Sequence, residues 1–232
     1  FVAGRGGIEI IGTNGLSVSV IPVSGPVYCL AVAPDGSVLA GMKDHVEVFG
    51  RDGIRKAVWK SPDPKTDLTS IAASSNAVFA CDYVNRAVWR FNLSGELTGR
   101  IGDKDSGQRK KGFVVPSAFF DAATAADGTV WIVNPGEHLI EHFTADGEFI
   151  SSWGKYSMEA DGFCGCCNPS NLALMPDGSF VTSEKHIVRV KVYDRDGIFR
   201  GIISGQEDWQ KEAVGLDLAV DSSGRIVVLD PQ

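Results

Sequence analysis

Several things are scarce or missing in this chain, and each narrows what it can do. No apolar run approaches the roughly 18–20 residues that a membrane-spanning helix needs, and no charged segment followed by an apolar stretch, the form of an export signal, is visible from Phe1. Basic residues are outnumbered, 22 against 29 acidic ones, for a net charge of −7. That balance disfavours a general nucleic-acid binder, which needs clustered Lys and Arg to neutralise phosphate. Four histidines are few for a His-rich catalytic metal centre. No Gly-x-Ser-x-Gly elbow, phosphate loop or His-Glu-x-x-His occurs. Amphipathic helices are wanting too, with at most one turn over Asp208–Ala213. With 232 residues, 44% hydrophobic and 22% charged, the composition is that of an ordinary globular protein of one large domain or two small ones.

What is abundant is glycine, 27 residues, and its spacing is informative. Pro-Asp-Gly ends at Gly36 and Arg-Asp-Gly at Gly53; Ala-Asp-Gly ends at Gly128 and again at Gly147; Pro-Asp-Gly ends at Gly178 and Arg-Asp-Gly at Gly197. Asn76 and Gly95 stand in the same relation, with Gly15 and Gly224 towards the two ends. Such turns suit tight hairpins because Gly tolerates positive φ. Between them lie short β-branched runs such as Ile187–Tyr193, which read as strands. In the unit around Gly178 the spacing predicts four strands: Asn171–Met175, Ser179–Ser183, Ile187–Tyr193 and Ile198–Ser204.

Four strands, here termed a to d, repeating at about 38–52 residues are the blade of a β-propeller. We therefore expect an all-β fold of four-stranded antiparallel blades forming one domain over residues 1–232. Phe1–Gly4 and Arg225–Asp230 both read as strand b, so the sequence is expected to begin and end in mid-blade. Six blades in a longer parent fit this count best, with five as the alternative.

The units resemble NHL repeats. The resemblance rests on Leu30-Ala-Val-Ala-Pro-Asp-Gly36, Asp82-Tyr-Val-Asn-Arg-Ala-Val-Trp-Arg-Phe91 and Glu148-Phe-Ile-Ser-Ser-Trp-Gly154, and it extends over essentially the whole chain. Gly162-Phe-Cys-Gly-Cys-Cys-Asn-Pro169 and Thr182-Ser-Glu-Lys-His-Ile-Val-Arg-Val-Lys-Val-Tyr193 look like signatures of an uncharacterised, largely bacterial branch. That resemblance implies the propeller fold and an exported, periplasmic or extracellular protein. For function it implies little, since NHL propellers include protein-binding and RNA-binding modules, sensor domains and a zinc-dependent peptide-amidating lyase.

In a propeller the b–c and d–a loops share one face. Here that face carries the long segments Gly102–Val114, Lys155–Asn168 and Gly205–Val214, so a site is expected there, around the mouth of the central channel. Cys164, Cys166 and Cys167 are its sharpest feature. Soft thiolates close together suit copper(I), zinc or iron–sulfur chemistry; a disulfide pinning the loop and inert thiols are the alternatives. Cys29 and Cys81, within strands, read as core thiols. His186 is the best acid–base candidate and a conceivable fourth ligand. Asp82, Asn85, Arg86, Glu137, His138, Glu184 and Lys185 lie in or beside equivalent b–c loops. Carboxylates there could bind a hard cation, whereas Arg–Asp pairing between blades, with Arg86 as a clamp, explains them structurally. Trp209 in a long loop is a candidate binding residue. Arg109-Lys-Lys111 could guide an anion or is merely solvated.

The expected function is binding: a monomeric rigid scaffold presenting the loop face to a protein, glycan or small-molecule ligand. A lyase or lactonase with a metal ion at the channel mouth, and a metal or redox protein working through the Cys loop, are the rival expectations.

Overall fold

The computed structural model describes all residues except Arg5, 103–110, 211–212 and 231–232. It is all-β apart from one short 3₁₀ turn, Gln206–Asp208, where the sequence predicts a single helical turn beginning two residues later. Two compact units, Phe1–Ile101 and Gly102–Gln232, are each built from successive antiparallel sheets.

The first unit holds three sheets. A three-stranded one comprises β1 (Val2–Gly4), β2 (Gly7–Ile11) and β3 (Ser17–Ile21). A four-stranded sheet follows, with β4 (Cys29–Val32), β5 (Val38–Gly41), β6 (His45–Phe49) and β7 (Arg55–Lys60), and then another with β8 (Leu68–Ala73), β9 (Val78–Asp82), β10 (Ala87–Phe91) and β11 (Leu97–Ile101). The second unit has four-stranded sheets β12 (Ala122–Thr124), β13 (Val130–Asn134), β14 (Leu139–Phe143), β15 (Phe149–Trp153) and β16 (Asn171–Leu174), β17 (Phe180–Glu184), β18 (Arg189–Tyr193), β19 (Phe199–Ser204). A two-stranded sheet, β20 (Asp217–Val220) and β21 (Ile226–Leu229), ends it. Six successive sheets are thus present among the described residues, the number that six blades require, and the four strands expected around Gly178 are found within two residues of their predicted bounds.

Each sheet is a meander, so the hydrophobic load is graded along it. Strands b (β5, β9 and β17) are buried at every residue, whereas strands d such as β3 and β15 are largely exposed. In the first unit Leu39, Val46, Trp59, Leu68, Val78 and Trp89 join one core between neighbouring sheets; Ile8, Ile21, Val38 and Phe49 form another. Each large apolar side chain buried in this way contributes about 1.5–3 kcal/mol.

The recurring c–d glycine has a tertiary reason as well as a local one. Gly95 (φ 86°) and Gly197 (φ 76°) occupy left-handed backbone that an L side chain resists. A Cβ on Gly197 would also stand 2.6 Å from the ring of Trp153, and one on Gly95 would collide with the ring of Trp59. In each case the ring belongs to strand d of the preceding sheet, so the turn must be bare for adjacent sheets to meet.

Candidate functional site

The loop joining β15 to β16 carries the cysteines, and buried polar contacts hold it in place. Lys191, in the middle of β18 and wholly buried, donates from Nζ to the carbonyls of Gly162 (2.7 Å) and Ala160 (3.2 Å). The same ammonium lies 3.3 Å from Glu184 Oε2 and 4.4 Å above the Phe163 ring centroid. Burial pulls its pKa down to about 8, against the opposing pull of Glu184. Arg189 Nε completes the ion pair with Glu184 at 2.6 Å. Further along, Asn168 donates from Nδ2 to Cys164 O (2.6 Å) and Lys185 O (3.2 Å) and accepts from Lys185 N (2.9 Å). His138 Nε2 donates to Gly165 O at 2.5 Å, and its ring meets Tyr156 edge-on at 5.1 Å. The loop is therefore tied by these polar contacts to both neighbouring b–c turns.

The three thiols are unbridged and do not act as a trio. Cys166 Sγ and Cys167 Sγ lie 3.3 Å apart, a hydrogen-bond separation, with Cys166 exposed and Cys167 buried. Cys164 has another neighbour, Arg189 Nη2 at 3.9 Å. Ser117 Oγ stands 3.0 Å from Cys167 Sγ and 3.1 Å from Lys185 Nζ, and that ammonium lies 4.7 Å above the Phe119 ring. Burial pushes the Cys167 thiol up, but hydrogen bonds from Ser117, Cys166 and Lys185, with the charge of Lys185, bring it below the ordinary thiol value. Cys166 is raised by its hydrogen bond to Cys167 and by the charge there. Among the described residues, no three His, Cys, Asp or Glu side chains gather closely enough to hold a metal ion.

Beside the loop is an open cleft of about 440 Å³, lined by Trp153, Lys155, Asp161, Gly197, Ile198 and Phe199. Its floor is rigid because Trp153 packs on Phe180 and Tyr193, both at 4.8 Å between centroids, and Tyr193 on Phe199 at 5.6 Å. Lys155 and Asp161 pair across the rim at 2.5 Å.

The other residues expected at a site are placed as follows. In the first unit Asp82 is buried and accepts from Asn85 Nδ2 (2.8 Å), Asn85 N (3.1 Å) and Trp89 Nε1 (2.9 Å), an arrangement that fixes the β9–β10 turn. Arg86 ends that turn, exposed, at φ 49°; the clamp expected of it is not among the ion pairs of the described residues. In the second unit Glu137 pairs with Lys111 at 3.2 Å, while Arg109 and Lys110 lie outside the described residues. His186 is exposed at φ 73° in the β17–β18 turn, with no side-chain hydrogen bond among the described residues. Trp209 is not the exposed ring expected of a loop residue: it is half-buried against Val181, Val188, Val190 and Leu216, because the 3₁₀ turn folds it back onto β17 and β18. Sequence reasoning missed Ser117, which carries no local signal, and Lys191, which does: alternation puts it on one face of β18 with Arg189 and Tyr193, and that buried face has to accommodate its charge.

No protein-family model matches the chain, and no curated protein does. Solved structures do match. A streptogramin B lyase is 14% identical with a TM-score of 0.66, covering 97% of this chain and 70% of its own. Hydrazine synthase of Kuenenia stuttgartiensis is 15% identical with a TM-score of 0.61 over 87% of this chain, which spans 55% of that protein. The WD40 repeats of RRP9 are 12% identical with a TM-score of 0.56, covering 76% and 50% of the two chains. At such identities the likeness speaks for the fold alone: this is a β-propeller.

Proposed function

We propose that the protein is a ligand-binding propeller of the NHL type, whose working surface in the second unit is the cleft beside the cysteine loop. The observation that carries this reading is the cleft's pairing of a packed aromatic wall with an exposed charged rim. Its volume of about 440 Å³ lies within the roughly 300–1,000 Å³ of small-molecule sites. Trp153 and Phe199 supply flat apolar surface that need not reorganise, and Lys155 and Asp161 can exchange their mutual ion pair for polar groups of a guest. A small molecule with an aromatic or apolar body and one charged end is the class of ligand that fits.

Fluorine NMR of protein labelled with fluorotryptophan tests this. Screened against small aromatic acids and amines, the labelled protein should yield hits that move the Trp153 resonance, assigned with Trp153→Phe. Those shifts should vanish in Ile198→Glu, whose altered side chain is exposed in the unliganded protein. Hits that move other tryptophans and leave Trp153 untouched would overturn the reading.

A further inference from the structure

We propose that Cys166 and Cys167 form a thiol–disulfide exchange site that reduces low-molecular-weight disulfides and is itself closed into an adjacent-residue disulfide. The inference is independent of what occupies the cleft. It begins from an electrostatic requirement. Lys185 is buried, 7% exposed, and a buried ammonium needs a negative partner or a full set of acceptors. Among the described residues its side chain meets Ser117 Oγ, the Phe119 ring and the Cys167 sulfur, and no carboxylate pairs with it, Glu184 next to it being engaged by Arg189 and Lys191. The Cys167 thiolate is the anion that completes this arrangement.

The two sulfurs then divide the work by exposure. Cys166 faces solvent and is the one a small disulfide can reach, while Cys167 lies behind it at 3.3 Å. Cys166 loses its proton to solvent and attacks one sulfur of R–S–S–R. The S–S bond breaks, the first RS⁻ leaves and is protonated, and a mixed disulfide remains on Cys166. The Cys167 thiolate attacks the Cys166 sulfur, forming the Cys166–Cys167 bond and expelling the second RS⁻, which is also protonated. The pair loses two electrons and the small disulfide gains them. A disulfide between neighbouring residues has to span Cα atoms about 3.8 Å apart, which is shorter than the usual range of about 4.4–6.8 Å. It is strained, so an external dithiol can reduce it, giving up two electrons and becoming a disulfide itself while the two protein thiols are restored, and the bond is not a permanent staple.

Oxidised glutathione is the probe, with peptide mapping by mass spectrometry as the readout. Reduced protein should lose two hydrogens from the peptide holding Cys166 and Cys167, without retaining glutathione, and dithiothreitol should restore it. Cys167→Ser should stop at a stable glutathione adduct on Cys166. Cys166→Ser, an exposed change that leaves the fold alone, should slow reaction at the pair at least about tenfold, because the remaining thiol is shielded. Lys185 is a positioning residue: Lys185→Gln should shift the pH profile of ring closure upward, and Lys185→Arg should restore it. A reduced protein whose two thiols stay free, or which accumulates the mixed disulfide on Cys166 without closing, would overturn the proposal, whatever the variants do.

Discussion

Lys191 shows how one buried charge can organise a loop far from it in sequence. Its ammonium binds carbonyls 29 and 31 residues upstream and shares Glu184 with Arg189. Lys191→Met would strand both carbonyls, and we expect a loss of about 2 kcal/mol in urea unfolding near neutral pH, with faster proteolysis of residues 155–163. The pH dependence has a definite sign. The folded pKa, about 8, is below the ordinary lysine value of 10.5, so the unfolded chain binds more protons between the two. Stability contributed by this group therefore rises as pH goes from about 8 towards 10.5. The parent should gain on Lys191→Met over that window, which paired urea titrations at its two ends would measure. His142 is a quieter case: half-buried in β14 and stacked on Trp131 at 3.9 Å, with burial holding it below the usual histidine value, it is the packed strand side chain that its position suggests.

At the scale of elements, the c–d turn explains why glycine recurs where it does. Gly197→Ala would add both left-handed strain and a clash with Trp153, for an expected cost of about 2–4 kcal/mol. Gly15 has φ 78° but open space around it, so Gly15→Ala should cost only about 1 kcal/mol. Thermal unfolding of the two variants separates backbone strain from sheet-to-sheet contact. The turns were legible because Asp-Gly chemistry is local: nine of the ten predicted turn positions are glycines with φ between 74° and 92°. Asn76, the tenth, is not left-handed; there Ser74 closes the turn, its hydroxyl accepting from Ala77 N at 3.1 Å. The contacts around the thiols were not legible in the same way. Ser117 reaches Cys167 across 50 residues and Lys185 across 68, and no periodicity within a sheet reports which loops of neighbouring sheets will touch.

Across the whole molecule the same turns set the response to acid. Asp35, Asp52, Asp177, Asp194 and Asp221 are held below their ordinary carboxyl value first by backbone N–H groups of their own turns, and Asp127 first by the Thr129 hydroxyl. Carboxyls with lowered folded values stabilise fully above the unfolded value, near 3.8, and that stabilisation is lost as pH falls through the folded ones. The urea midpoint should therefore drop steeply below about pH 4, and Asp177→Asn, which keeps an acceptor oxygen, should make the drop shallower.

Strand order, hairpin turns and the repeat itself follow from the sequence, because each depends on residues a few positions apart and on an alternation that any sheet would impose. The tertiary structure alone decided which groups face one another: Lys191 beneath the cysteine loop, Trp209 half-buried against the core, Ser117 and Lys185 around Cys167. Those pairings depend on how separate sheets pack and where the loops between them come to rest. There burial turns an ordinary lysine into a charge that needs a partner, and an ordinary thiol into the partner that meets it.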